Sequence, residues 1–340
     1  GNIVSITGVG EPNATGGRTT YNHQGNRLIE ASGQEAAQYT YDDNGNVISD
    51  GVRTFVYNRN NRLIRVEQGG NVLGEYAYDG LERRVKKTVF GTTTHYHYDL
   101  MGNLIAETSW DGTPFRDVFY QNGERMAMEI YGARAGTYYF LNDHLGTPHT
   151  LIDESAQVVW QAAYLPFGKA QIMTETIENH FRFPGQYYDF ETGLHYNWHR
   201  YYDPNLGRYL RADPIGLEGE INLFQYVQNN PVNLFDLKGL KGCGPGSGFW
   251  EWVIPDNPFG FNFESCCDKH DECYGCKGKD QGKNKRDCDL QFCKCLIKKC
   301  LSYNAFFKHC PAVEFCLAVV FAGDSSYKEA QICCPLKDKR

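Results

Sequence analysis

The feature that most constrains this chain is a degenerate repeat led by tyrosine. Tyr41-Asp42-Asp43-Asn44-Gly45-Asn46-Val47-Ile48 recurs as Tyr21-Asn22-His23-Gln24-Gly25-Asn26-Arg27-Leu28, as Tyr57-Asn58-Arg59-Asn60-Asn61-Arg62-Leu63-Ile64 and as Tyr98-Asp99-Leu100-Met101-Gly102-Asn103-Leu104-Ile105. Weaker copies start at Tyr78 and Tyr120. The leading tyrosines are 20, 16, 21, 20 and 22 residues apart, the mark of a structural array. Each unit reads as an aromatic strand, an Asx-Gly-Asn turn and an alternating apolar strand, which predicts a β-hairpin. Hairpins repeated in register make one long coiling sheet whose units bury surface against their neighbours. A plain β-sandwich is the alternative, and it leaves the repeat unexplained.

At 340 residues the chain is long for one domain,. All 13 cysteines fall between Cys243 and Cys334, an asymmetry not expected of a single compact domain. Residues 241–340 hold 15 Lys+Arg against 13 Asp+Glu, so the chain's net charge of −7 leaves −9 for the rest. Such cysteine density predicts disulfides and an oxidising destination, with an odd thiol left over. The start shows no charged-then-apolar leader, and the apolar run around Val313 to Phe321 is too short to span a bilayer,. A first residue of Gly1, with about six repeat units, predicts a fragment of a longer shell.

The repeat resembles the tyrosine-aspartate repeats of Rhs proteins, which wrap into a hollow β-shell. Residues 166–240 extend that resemblance through Phe183-Pro184-Gly185-Gln186-Tyr187, Arg200-Tyr201-Tyr202-Asp203-Pro204, Gly207-Arg208-Tyr209 and Asp213-Pro214-Ile215-Gly216-Leu217. They are similar to the Rhs-associated core, whose closing motif is cut after its leucine by a built-in aspartyl-type activity. Here that motif is Asp236-Leu237-Lys238-Gly239-Leu240, with leucine in place of proline. The resemblance implies Asp213 and Asp236 as the carboxylate pair, Arg200 as the supporting charge, and a cut between Leu240 and Lys241. Paired carboxylates share a proton, one acting as base and the other as acid. On residue types alone, both aspartates read as turn caps before Pro214 and Gly239.

The last hundred residues centre on Cys266-Cys267-Asp268-Lys269-His270-Asp271-Glu272-Cys273 and Cys288-Asp289-Leu290-Gln291-Phe292-Cys293-Lys294-Cys295. Read as antiparallel helices, they allow Cys266–Cys295 and Cys273–Cys288 as two rungs, with His270 facing Asp289. That pairs a base with an orienting acid. Asp271 points about 100° away from His270. It suits a metal, with the bare carbonyls of the loop from Gly242 to Gly248 beside it if Cys243 bridges to Cys267.

These motifs resemble a secreted phospholipase A2 over roughly residues 242–300. The resemblance implies His270 as general base, Asp289 as its partner, and calcium on Asp271 with the carbonyls of Gly242, Gly244 and Gly246. The Gly244 amide would add an oxyanion donor. Two departures stand out: 24 residues separate Cys243 from Cys267, and the short stretch from Cys273 to Cys288 leaves no room for the hairpin between the helices.

The expectation is therefore a β-repeat shell of antiparallel hairpins (residues 1–165), an Rhs-associated core (166–240) and a small disulfide-rich α-helical phospholipase A2-like domain (241–340). As a whole it reads as a secreted toxin released by self-cleavage, hydrolysing phospholipid sn-2 esters with calcium in the periplasm or outside the target cell. Its expected partners are the target membrane, an immunity protein and a secretion-system carrier, with no nucleic acid. The alternatives are a membrane-binding toxin without turnover and a zinc module. Zinc sites favour Cys-x2–4-Cys spacing, which adjacent cysteine pairs fit poorly.

Overall fold

Repeat turns are closed by an Asx side chain, which at Asn58, Asp79 and Asp99 directly follows the tyrosine. Asp99 Oδ1 accepts the amides of Met101 and Asn103, both about 2.9 Å away. The same two-amide grip recurs at Asn58, Asp79, Asp143 and Asp153. A short polar side chain that satisfies amides two and four residues on is what makes Asp and Asn turn formers. The fourth turn residue is left-handed, as at Gly45 (φ 83°) and Gly102 (φ 91°), which explains the glycine of the motif.

The tyrosines bind one unit to the one before. Tyr41 Oη donates to Leu28 O, Tyr78 to Leu63 O, Tyr98 to Arg84 O, Tyr120 to Leu104 O and Tyr164 to Pro148 O, at 2.6–3.1 Å. Each ring also buries apolar area against the inner face. The periodic tyrosine is thus a staple between neighbours as well as a strand former.

The structure, a computed structural model, describes residues 2–7, 18–33, 36–121, 123–216, 222–240, 290–291 and 294–295. The chain divides into two units, Gly1–Lys241 and Gly242–Arg340. In the first, a sheet of 14 antiparallel strands runs from Thr40–Tyr41 to Ala170–Glu175, each strand paired with its sequence neighbours. It continues beyond residue 165, where the repeat was expected to end. A four-stranded sheet precedes it, Ser5–Thr7 to Ala37–Gln38. A second four-stranded sheet follows, made of Tyr187–Asp189, Leu194–Asn197, Arg200–Asp203 and Arg208–Tyr209.

The inner face of the long sheet carries Phe55, Val66, Tyr76, Tyr96, Val118, Met128, Leu151 and Trp160. They pack in one core with Phe181, Tyr187, Leu194, Tyr196, Tyr201, Leu206 and Leu210 from the later segment. These residues therefore fill the sheet's inner face, while Phe183, Tyr202, Tyr209 and Tyr226 form a second cluster. Polar contacts fix how that segment seats. Asp189, fully buried, takes both Arg84 (Nη2–Oδ1 2.9 Å) and Lys87 (2.9 Å), and Lys87 also reaches Glu191 at 3.2 Å. Four tyrosine rings, of Tyr76, Tyr96, Tyr187 and Tyr196, surround the Arg84 guanidinium at 4.4–5.3 Å. Burial alone would raise the Asp189 carboxyl, but the two cations hold it below the ordinary carboxylate range,.

Of the expected helical domain, Leu290, Gln291, Lys294 and Cys295 are described; they are helical, and Cys295 is disulfide-bonded. Four residues do not define a disulfide-rich phospholipase-like fold. No helix among the described residues is long and apolar enough to cross a membrane.

Candidate functional site

Arg200, Asp213 and Asp236 come together although 36 residues separate the first from the last. Strand pairing seats Arg200: His195, Tyr196 and Asn197 face Tyr202, Tyr201 and Arg200 across a tight hairpin. Its side chain is 3% exposed, and the single nitrogen Nη2 meets Asp213 Oδ2 at 2.9 Å and Asp236 Oδ2 at 3.2 Å. Nε donates to Gly239 O at 2.6 Å, and Nη1 to Leu223 O at 3.3 Å. The guanidinium lies 3.6 Å over the Tyr209 ring, which supports its charge where water is scarce.

Each aspartate divides its two oxygens between two tasks. Asp213 Oδ1 caps the following turn through the Ile215 amide at 3.1 Å, while Oδ2 meets Arg200. Asp236 Oδ1 accepts the amides of Lys238 (3.2 Å) and Leu240 (3.0 Å). Its Oδ2 takes Arg200 and the Tyr209 hydroxyl, the latter at 2.7 Å. Turn capping and convergence on one arginine are therefore both present, on opposite oxygens of the same carboxylates. Burial raises the Asp213 carboxyl above the ordinary range, with Arg200 pulling against it and Asp236 pushing further up,.

Two residues of this site escaped sequence reasoning. Tyr209 holds Asp236, and Asn197 Nδ2 donates to Tyr209 Oη and to Asp236 O, both at 2.9 Å. Gly207-Arg208-Tyr209 was a visible motif, but nothing in its spacing points to Asp236. Gly239 sits at φ 69°, and a Cβ there would lie 2.5 Å from Asn197 O. Only glycine lets the closing motif run this near the Arg200 hairpin. Gly185 does the same for Leu237, whose carbonyl would lie 2.2 Å from an added Cβ.

Leu240 is described and Lys241 is not. His270, Asp271, Asp289, Gly242, Gly244, Gly246, Cys243, Cys266, Cys267, Cys273 and Cys288 also lie outside the described residues. Among the described residues no three His, Cys, Asp or Glu side chains are grouped to hold a metal ion.

A long antiparallel repeat sheet, filled by its own C-terminal segment and ended by an arginine-bridged carboxylate pair, defines a β-shell protein. Residues 1–234 match the Teneurin YD-shell family, and the chain belongs to it. Among curated relatives, the double-stranded DNA deaminase toxin A of Burkholderia cenocepacia is 31% identical over 264 residues, 64% of this chain and 18% of the relative. Toxin protein Tse5 of Pseudomonas aeruginosa is 31% identical over 258 residues, 64% of this chain and 19% of the relative. The tRNA3(Ser)-specific nuclease WapA of Bacillus spizizenii is 29% identical over 269 residues, 76% of this chain and 11% of the relative. The chain spans less than a fifth of the length of each of these three relatives.

These matches overturn the expected calcium-dependent phospholipase A2; His270 and Asp289, expected as its dyad, and Asp271, expected to bind calcium, lie outside the described residues. Two of the relatives are named for action on double-stranded DNA and on tRNA. The expected phospholipid membrane target and the expected absence of nucleic acid fall with it. The motif misled for a physical reason. Cysteine rungs between two helices stabilise a small domain whatever its chemistry, and a short run of ligand-type residues does not specify a substrate.

Proposed function

We propose that this chain is the carrier-and-release part of a secreted toxin: it cuts itself between Leu240 and Lys241 and frees residues 241–340 to act on nucleic acid. The observation that carries the release step is the double use of Asp236. One of its oxygens holds the Leu240 amide, and the other shares the Arg200 Nη2 with Asp213. A carboxylate pair is thereby bonded to the residue whose carbonyl must be attacked.

In the reaction, Asp236 takes a proton from a water molecule, whose oxygen adds to the Leu240 carbonyl carbon. Asp213, kept protonated to higher pH by burial, gives its proton to the departing Lys241 nitrogen. The C–N bond breaks, leaving a carboxylate on Leu240 and an amine on Lys241. Arg200 holds both carboxylates and, through Gly239 O, the backbone beside them. Tyr209 and Asn197 position Asp236.

The relatives support the division of labour. Matches covering 64–76% of this chain exceed what lies after Leu240, so proteins named for different activities share the shell. What they share is the carrier. Double-stranded DNA and tRNA in two of their names favour nucleic acid as the target class. Delivery into a target cell, with an immunity protein guarding the producer, follows from the same toxin kinship.

The test is intact mass analysis of the purified chain. Two fragments divided at Leu240–Lys241 are expected, with Asp213→Asn and Asp236→Asn remaining whole at unchanged circular dichroism. A wild-type chain that stays intact at every pH tried would sink the release step. The released fragment is then incubated with duplex DNA and with tRNA. Release with neither nucleic acid altered would remove the target and leave the carrier.

A further inference from the structure

Among the described residues the tyrosine staple is broken at Tyr57. Tyr41, Tyr78, Tyr98, Tyr120 and Tyr164 each find a carbonyl in the preceding unit. Tyr57, head of the third copy, has a fully buried hydroxyl with no hydrogen-bond partner among the described residues. The later segment docks at this point. Val47, at the start of the strand before it, pairs with Leu210 O, and Asn46 bridges to Arg211. The later segment pairs with this strand's backbone, and Arg211 lines the same pocket as Tyr57.

The pocket so formed is lined by Tyr57, Arg62, Tyr78, His199, Tyr201 and Arg211, and it is about large enough for one water molecule,. Two buried guanidiniums border it, at 3% exposure for Arg62 and 9% for Arg211. Arg62 spends its donors on the carbonyls of His199, Trp198 and Glu82, with the Glu82 carboxylate at 3.7 Å. Arg211 donates to Asn61 O and forms no ion pair among the described residues.

The other charges near the pocket are committed elsewhere. Asp42 binds Asn46 through both oxygens at 2.7–2.8 Å, and His199 Nδ1 lies 3.4 Å from Glu82. Asp213 and Asp236 are held by Arg200. A guanidinium out of water with no carboxylate at ion-pair distance is costly, and Glu82 and Asp213 act on Arg211 only from further off. Burial first, then repulsion from Arg62 and Arg200, pulls Arg211 down to about 10. Of the charges acting on the Tyr57 hydroxyl, that of Arg211 is the strongest.

We propose that Tyr57, Arg62 and Arg211 bind a monatomic anion, chloride in biological fluids. The phenol supplies a hydrogen-bond donor and Arg211 the unpaired charge, and together they satisfy both groups. Size selects the class: the space is near the minimum that holds one water, so a halide enters with a small adjustment while phosphate and sulfate do not. Water meets the hydroxyl but leaves Arg211 with only the longer-range charges of Glu82 and Asp213.

Crystals of the whole chain soaked in sodium bromide provide the test, with anomalous data collected at the bromine edge. A peak between Tyr57 Oη and the Arg211 guanidinium is the expected result. Thermal melting in chloride, gluconate and phosphate at matched ionic strength should show stabilisation by chloride alone. Tyr57→Phe, which removes one hydroxyl and no carbonyl partner, should raise the half-saturating chloride concentration about tenfold. A bromide soak with no peak, or melting points equal in the three salts, would overturn the site. A wild-type chloride response unchanged in Tyr57→Phe would overturn the role of the phenol.

Discussion

The long sheet and the segment that fills it solve polar burial in opposite ways. In the sheet, an Asx side chain satisfies amides two and four residues away, and a tyrosine reaches back about fifteen residues. In the filling segment the partners are remote: Asp189 with Arg84, Tyr187 with Glu107, Arg62 with His199. Local satisfaction can be repeated cheaply and tolerates variation from unit to unit. Remote satisfaction occurs once, and each such pair defines where the segment must sit. The shell is thus a tolerant wall around an exacting plug.

The largest effect should come from breaking the plug. Asp189→Asn leaves Arg84 and Lys87 buried beside a neutral group and should cost about 3–5 kcal/mol, read as a shifted urea midpoint at unchanged slope. A loss under about 1 kcal/mol, the scale of a surface pair, would mean that water reaches the cluster and that the plug is no more exacting than the wall.

The proposed release site should answer to pH through Asp213. Its carboxyl is raised by burial, so the protonated acid persists above the ordinary aspartate range and is lost as pH rises through the raised value. The rate of fragment appearance should be high on the acid side and fall as pH rises, with Asp213→Asn inactive throughout. A rate that climbs steadily with pH would reverse the two aspartates' roles.

His195 gives a smaller, opposite dependence. Burial, helped by Arg182, holds its imidazole well below 6.5, and Nδ1 lies 2.7 Å from Gln186 Oε1. A depressed base stabilises the fold above its unfolded value and loses that contribution as pH falls towards the folded one. Urea midpoints should therefore drop below about pH 6.5, and His195→Gln should flatten part of that drop. An unchanged slope in the variant would assign the acid sensitivity to other groups.

The smallest effects belong to the wall. Tyr78→Phe removes the bond to Leu63 O and should cost about 1 kcal/mol. Tyr57→Phe removes no such bond, and in chloride-free buffer it should cost less. Equal losses at the two positions would mean that the ring, not the hydroxyl, does the stapling.

Much of the wall was legible in the residues. The tyrosine spacing predicted hairpins in register, and the Asx-Gly turns predicted their closures, because both rest on contacts within a few residues. Arg200, Asp213 and Asp236 were legible as candidates through a family resemblance. Their turn-capping was legible from residue type alone. Tyr209, Asn197 and the tight fit at Gly239 were not, since their partners lie in separate stretches whose meeting no local pattern encodes.

The cysteine-rich end teaches the reverse. Cys-Cys-x-x-His-Asp reads well as local chemistry, yet two relatives of this chain are named for action on double-stranded DNA and on tRNA. Sequence by itself determined the repeat, its turn chemistry and the division at the cysteine boundary, since period and composition are one-dimensional properties. Only the tertiary structure decided that residues 181–210 fill the sheet, that one arginine nitrogen joins two aspartates, and that Tyr57 shares a pocket with Arg211 and has no carbonyl partner. Each depends on which distant segments compete for the same buried space, and that competition is settled by packing.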